Sequence, residues 1–190
     1  MLASGDERMV NMSVLEIRQI GDPVLRSPAS AVPLNDGTPD QRISQLIHNM
    51  DHTMEHVNGI GLAAPQVGVS LRIFTWHVED SRGAVINPEI TWSGSPSFVP
   101  RPEEEDADAV LREGCLSVPG GIYAPVERFP HAVLTGVGPD GESLRIEATG
   151  LLAACLQHEL DHLDGKLFLD RLTGEHKKHA YRALRNGVMA

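Results

Sequence analysis

The sequence predicts an α+β fold: one domain of short, mostly antiparallel strands around a central helix, with a further helix at the C-terminus. Three observations predict it. Short runs rich in β-branched and aromatic residues recur between residues 69 and 149, helical patterns flank them, and no strand–helix–strand alternation of the parallel-sheet kind occurs. A length of 190 residues suits a single core better than two. No apolar run is long enough to span a bilayer, so no membrane partner is expected. The opening MLASGDERMVNMSV lacks the basic-then-apolar order of a secretory signal, and residues 1–12 read as a loose N-terminal extension. Two cysteines, Cys115 and Cys155, are too few for a disulfide framework and fit a reducing, cytoplasmic setting. A formal charge of −10 argues against DNA or other general nucleic-acid binding, which needs a basic surface.

The elements follow in order. The segment IRQIGDPVLRSPA mixes short apolar stretches with Gly and Pro and reads as irregular. Residues 40–57 carry Ile43, Leu46, Ile47, Met50, Met54 and Val57 on one helical stripe, ended by Gly59 and Gly61. The runs VSLRIFTWHV and AVINPEITW read as strands. Residues 93–108 lack periodicity and contain Glu103, Glu104, Glu105, Asp106 and Asp108, the pattern of a solvated acidic loop. LREGCLSVPGG reads as a short strand closed by Pro-Gly, and HAVLTGV and SLRIEAT as a hairpin around GPDG. A helix is expected from about residue 151 to 164, with Thr149 or Gly150 as N-cap and Gly165 past its end. A last helix covers roughly residues 173–185 and carries Lys177, Lys178, Arg182 and Arg185.

The strongest chemical signal is His158-Glu159-Leu160-Asp161-His162, an H-E-x-x-H pattern on the predicted helix. Imidazoles four residues apart share a face and can share a metal ion, and the adjacent carboxylate can take a proton from water. The bland alternative is a pair of ordinary helical histidines. A catalytic centre of this kind needs a third ligand. Phe168 stands where one protease class places a third histidine, and no glutamate follows about twenty residues on, which disfavours a general zinc peptidase. The cysteines are the remaining candidates. Cys155, three residues before His158, would share one helix surface with both histidines, which is awkward for a tetrahedral site. It reads better as a pocket wall.

Three stretches, GIGLAAPQ at 59–66, EGCLS at 113–117 and QHELDH at 157–162, resemble in this order the signature motifs of peptide deformylases, and IGDPVLR and LDGKLFLDRL are similar as well. The resemblance implies that Cys115, His158 and His162 bind one divalent metal ion, iron(II) in the cell, with zinc, nickel or cobalt able to take its place. It implies Glu159 as general acid/base, and Gln66 and the Leu116 backbone N–H as donors to the oxyanion formed from a formyl oxygen. Gly59, Ile60 and Gly61 would form a backbone edge for the peptide, with Gly114 beside Cys115. Leu151, Ala154 and Cys155 would receive a methionine side chain. The implied substrate is an N-formyl-methionyl peptide on a nascent chain, the implied product formate, and a transient contact with the ribosome follows from that substrate.

Other features are decoys. The glycines of GIGLAAPQ lack the Lys-Ser/Thr ending of a phosphate loop. His48, His52 and His56 repeat at four-residue intervals but project away from the apolar stripe, and read as surface histidines. GGIYAPVER lacks the basic residue that many deformylases carry near these glycines. A catalytically dead binding module on the same fold is the alternative from another class, and the presence together of Glu159, Gln66 and Cys115 argues against it.

Overall fold

The computed structural model describes residues 12–101 and 109–188. Residues 1–11 of the extension expected at 1–12, and the acidic residues Glu103, Glu104, Glu105, Asp106 and Asp108, lie outside the described residues. The fold class expected from the sequence is the one observed: antiparallel strands, a buried central helix and a C-terminal helix.

Helix α1 spans Gln41–His56 and begins on Asp40, whose carboxylate accepts hydrogen bonds from the Arg42 and Ile43 amides. Strands β1 (Gly61–Ala63), β2 (Ile73–Val78), β3 (Ser81–Ser93), β8 (His131–Val137) and β9 (Ser143–Thr149) form one antiparallel sheet in the order β1-β2-β3-β8-β9. Two minor pairs complete the strands: β4 (Ser97–Phe98) with β7 (Glu127–Arg128), and β5 (Arg112–Glu113) with β6 (Ala124–Pro125). Helix α2 (Gly150–Leu163) follows β9 directly, then the short α3 (Phe168–Arg171) and the C-terminal α4 (Gly174–Val188).

Strand β2 reads as a nearly unbroken apolar run because both its faces are covered. Phe74, Trp76 and Val78 join the core against α2 with Leu156, Leu160 and Leu163. Ile73 packs instead with Ile47, Met50 and Met54 of α1, and the Thr75 hydroxyl meets the Met54 sulfur. Successive side chains of a strand point to opposite faces, so the two helices lie on opposite sides of the sheet. A third cluster, Val118, Ile122, Ala124 and Val126, packs on Leu167, Phe168 and Leu169 of the α3 segment.

Several expectations are refined. The strand expected at 84–92 is longer, Ser81–Ser93, and its pairing with β8 slips between Ile86 and Glu89. Asn87 there has a φ of 51°, and its side chain pairs with both backbone groups of Val32. Part of the expected loop at 93–108 is strand, since Ser97 and Phe98 pair with Arg128 and Glu127. The strand expected over LREGCLSVPGG stops at Glu113; the chain then turns, and the Val118 amide donates to the Cys115 carbonyl. Periodicity gave no sign of the single tight turn Ala64–Val67 or of α3, both too short for it. Among the described residues no helix is long and apolar enough to cross a membrane.

Gly165 ends α2 with a φ of +71°, and a Cβ there would lie 2.8 Å from the Arg26 carbonyl. Gly165→Ala should therefore lower stability by about 1–3 kcal/mol, the usual cost of a strained backbone site. Denaturant unfolding checks it: a lower midpoint at unchanged slope is expected, and an unchanged midpoint contradicts it.

Candidate active site

Helix α2 delivers ionisable groups to the interior. Every residue from Ala153 to Leu163 is buried, so His158, Glu159, Asp161 and His162 enter the core with the leucines around them. Such groups must be paired or neutralised, and their partners come from elsewhere in the chain.

The Nδ1 of His158 lies 2.8 Å from Glu113 Oε2. Arg128 forks onto Glu113, Nε to Oε1 at 2.7 Å and Nη2 to Oε2 at 2.8 Å, and its third nitrogen reaches Asp161 Oδ2 at 2.7 Å. Arg171 holds the outer side of Asp161 through both carboxylate oxygens. Burial alone would push the Glu113 carboxyl up, but the hydrogen bonds of Arg128 and His158 outweigh it and hold it down at about 2. Glu113 is thus an ionised acceptor that fixes the orientation of the His158 ring through Nδ1. Burial works against charge on His158 too, yet its bonds with Cys115 and Glu113 raise it well above the ordinary value. His162 is pulled well below by burial and by the neighbouring His158.

The turn after β5 brings Cys115 alongside these rings. Its Sγ is 3.3 Å from His162 Nε2, and the ligand atoms of Cys115, His158 and His162 all lie within 4.8 Å of one another. This is the one such group among the described residues. One thiolate and two imidazoles at this separation suit a tetrahedral ion with a fourth position open. His48, His52 and His56 form no such group; His48 and His56 are exposed and His52 half-buried.

Glu159 is buried beside the cluster, and its Oε2 finds no hydrogen-bond partner. Burial raises its carboxyl to about 7. A Cβ at Gly61 would collide with this carboxylate, so only glycine lets β1 lie against Glu159. Gln66 is held from behind: its Oε1 accepts from the Ala63 amide at 2.8 Å, while Nε2 donates to Ser117 Oγ at 3.3 Å and approaches Cys115 Sγ at 3.6 Å. Cys155 stays outside the cluster. Its S–H donates to the Ile60 carbonyl at 3.4 Å, and burial pushes the thiol up, so it keeps its proton.

These residues open on a cleft of about 320 Å³. All the residues singled out from the sequence except His162 line it: Gly59, Ile60, Gly61 and Gln66 on one side, Gly114, Cys115 and Leu116 on another, and Leu151, Ala154, Cys155, His158 and Glu159 along α2. His162 lies behind, in the group with Cys115 and His158 that could hold a metal ion. Sequence reasoning missed Arg128, Asp161 as an anchor, Ser117 and Tyr123. Asp161 sat inside the quoted H-E-x-x-H pattern and Glu113 inside EGCLS, whereas VERFP gave no local signal for Arg128. The ring of Tyr123 covers Gly114, where a Cβ would approach it to 2.5 Å.

An acidic side chain and two imidazoles on one helix, met by a cysteine beside an apolar cleft, have the makeup of a hydrolase centre. The family model described as polypeptide deformylase matches residues 14–178, and the chain belongs to that family. It is 45% identical to a peptide deformylase of Acidothermus cellulolyticus (94% of this chain, 90% of that one) and 43% identical to one of Mycobacterium sp. strain JLS (92% and 89%). Among solved structures it is similar to a peptide deformylase from Legionella pneumophila, with a TM-score of 0.77 at 36% identity over 92% of this chain and 95% of that one. It is similar also to the Synechococcus elongatus enzyme in complex with actinonin, with a TM-score of 0.75 at 35% identity over 88% and 86%.

Arg128→Met should leave Glu113 and Asp161 as buried carboxylates short of a partner. The expected loss of stability is about 3–5 kcal/mol. Equilibrium unfolding measures it, and a loss below about 1 kcal/mol, the range of an exposed pair, would contradict the role given to Arg128.

Proposed function

We propose that this chain hydrolyses the N-formyl group of formyl-methionyl nascent peptides, releasing formate, with one divalent ion held by Cys115, His158 and His162. The observation that carries the reading is the convergence of those three ligand atoms beside the unpartnered Oε2 of Glu159, inside an apolar cleft. The donor set accepts iron(II), zinc, cobalt or nickel; we assign iron(II) in the cell, following the family resemblance. The whole chain would act as one cytoplasmic catalytic domain that meets its substrate in a transient contact with the ribosome.

When bound, the ion supplies Lewis acidity that makes water a competent nucleophile near neutral pH. Glu159 takes the proton of the attacking water and returns it to the departing amine nitrogen. A carboxyl raised to about 7 suits both halves of that task. Gln66 Nε2 and the Leu116 N–H donate to the formyl oxygen as it gains negative charge, a form of stabilisation that acts in the transition state. The Ala63 amide fixes which end of the Gln66 side chain faces the cleft.

Binding falls to the walls. Strand β1 is an edge strand, paired only with β2 in its sheet, so the backbone around Gly59, Ile60 and Gly61 offers an edge for an extended peptide. Leu151, Ala154 and Cys155 present a small apolar surface suited to an unbranched thioether side chain. On the other side, Gly114 leaves room for the Tyr123 ring to form the cleft wall beside Cys115.

Glu159→Gln should lower kcat for formate release from formyl-Met-Ala at least about a hundredfold, with metal content unchanged, because Glu159 moves a proton and is not a ligand. Cys115→Ser should instead lower metal content. Near-wild-type turnover by Glu159→Gln would overturn the acid/base role, and full metal retention by Cys115→Ser would overturn the ligand set.

A further inference from the structure

The charge chain behind His158 does not end inside the protein. It runs from His158 through Glu113, Arg128 and Asp161 to Arg171, whose side chain is 44% exposed on α3. Two carboxylates and one guanidinium are buried along it, and Arg171 brings the second positive charge.

Arg128 has three nitrogens engaged: two on Glu113 and one on Asp161. Asp161 would compete for more of it, since a carboxylate accepts bidentate pairing from one guanidinium. Arg171 removes that competition, with Nη2 on Oδ1 and Nε on Oδ2 of Asp161. Its own segment is fixed independently. The Leu167 amide donates to Asp170 Oδ2 at 2.8 Å, Leu167, Phe168 and Leu169 are buried, and the Phe168 ring lies parallel to that of His158 at 6.2 Å.

We propose that Arg171 is a positioning residue for the centre: by satisfying Asp161 it leaves Arg128 forked on Glu113, and Glu113 thereby keeps His158 oriented toward Cys115 and His162. The proposal rests on the metal reading of Cys115, His158 and His162. Partners of this outer kind alter metal affinity by fixing a histidine's orientation. In this chain the control passes through three intermediate side chains and is exerted from the surface.

The proposal makes Asp161 the agent of any damage, which gives it a distinctive test. The full-length chain, stripped of metal, is titrated with cobalt(II) against a competing chelator, read by the thiolate-to-cobalt absorption. Four proteins are compared: wild type, Arg171→Met, Asp161→Asn and the double variant. Arg171→Met should weaken cobalt affinity by about 10- to 100-fold. With Asp161 neutralised there is no carboxylate to draw Arg128 away, so the same change in the Asp161→Asn background should cost less than about twofold. Wild-type affinity in Arg171→Met, or an equal loss in both backgrounds, would overturn the proposal, the second because an effect exerted through the Asp161 carboxylate must vanish when that charge is removed. Failure of the wild-type chain to bind one cobalt would be a separate result, striking at the proposed centre itself.

Discussion

Arg128 is the interaction on which the site's architecture depends. Helix α2 carries Asp161 into the core, β5 carries Glu113, and both carboxylates are buried. One guanidinium with its nitrogens in a fixed plane meets both. The desolvation of such a group is large, and a buried ion pair is weak evidence for net stability. Its value here is specification: Arg128 sits on β7, Glu113 on β5 and Asp161 on α2, so the bonds lock a strand segment onto the helix in one register. That register places Cys115, two residues past Glu113, against the two imidazoles.

The glycines act in the complementary way, by absence. At Gly61 a side chain would occupy the volume of the Glu159 carboxylate, and at Gly114 that of the Tyr123 ring. The charged chain pulls the segments together from behind, while the missing side chains let the front of the cleft close on Glu159. Both cysteines line this cleft with opposite chemistry. Cys115 stands beside the ring nitrogens of His158 and His162, while Cys155 is committed to the Ile60 carbonyl and stays a neutral wall.

Much of this was legible in the sequence. An apolar helical stripe found α1, cap residues and Gly165 bounded α2, and GPDG between two β-rich runs found the β8–β9 hairpin, because these elements are long enough to carry such signals. Strands β4 to β7 were missed or misjudged because two-residue pairs have no period at all. The residues that line the cleft were found because they sit within short contiguous motifs. Arg128 and Tyr123 were not, since their roles arise where the chain returns to Glu113 and Gly114 after a turn, and spacing along the sequence carries no trace of that meeting. The α1 histidines illustrate the converse: regular spacing on a helix without any convergence in space.

The mouth of the cleft has a thermodynamic character of its own. Ile60 is 45% exposed and Tyr123 58%, two of the few large apolar side chains left in water among the described residues. A peptide that settles between them removes both from solvent, and burial of apolar surface on binding carries a negative heat-capacity change. Recognition at this mouth would then shift from entropy toward enthalpy as temperature rises, and its apolar part would weaken in the cold. The same two side chains give the cleft a small apolar rim.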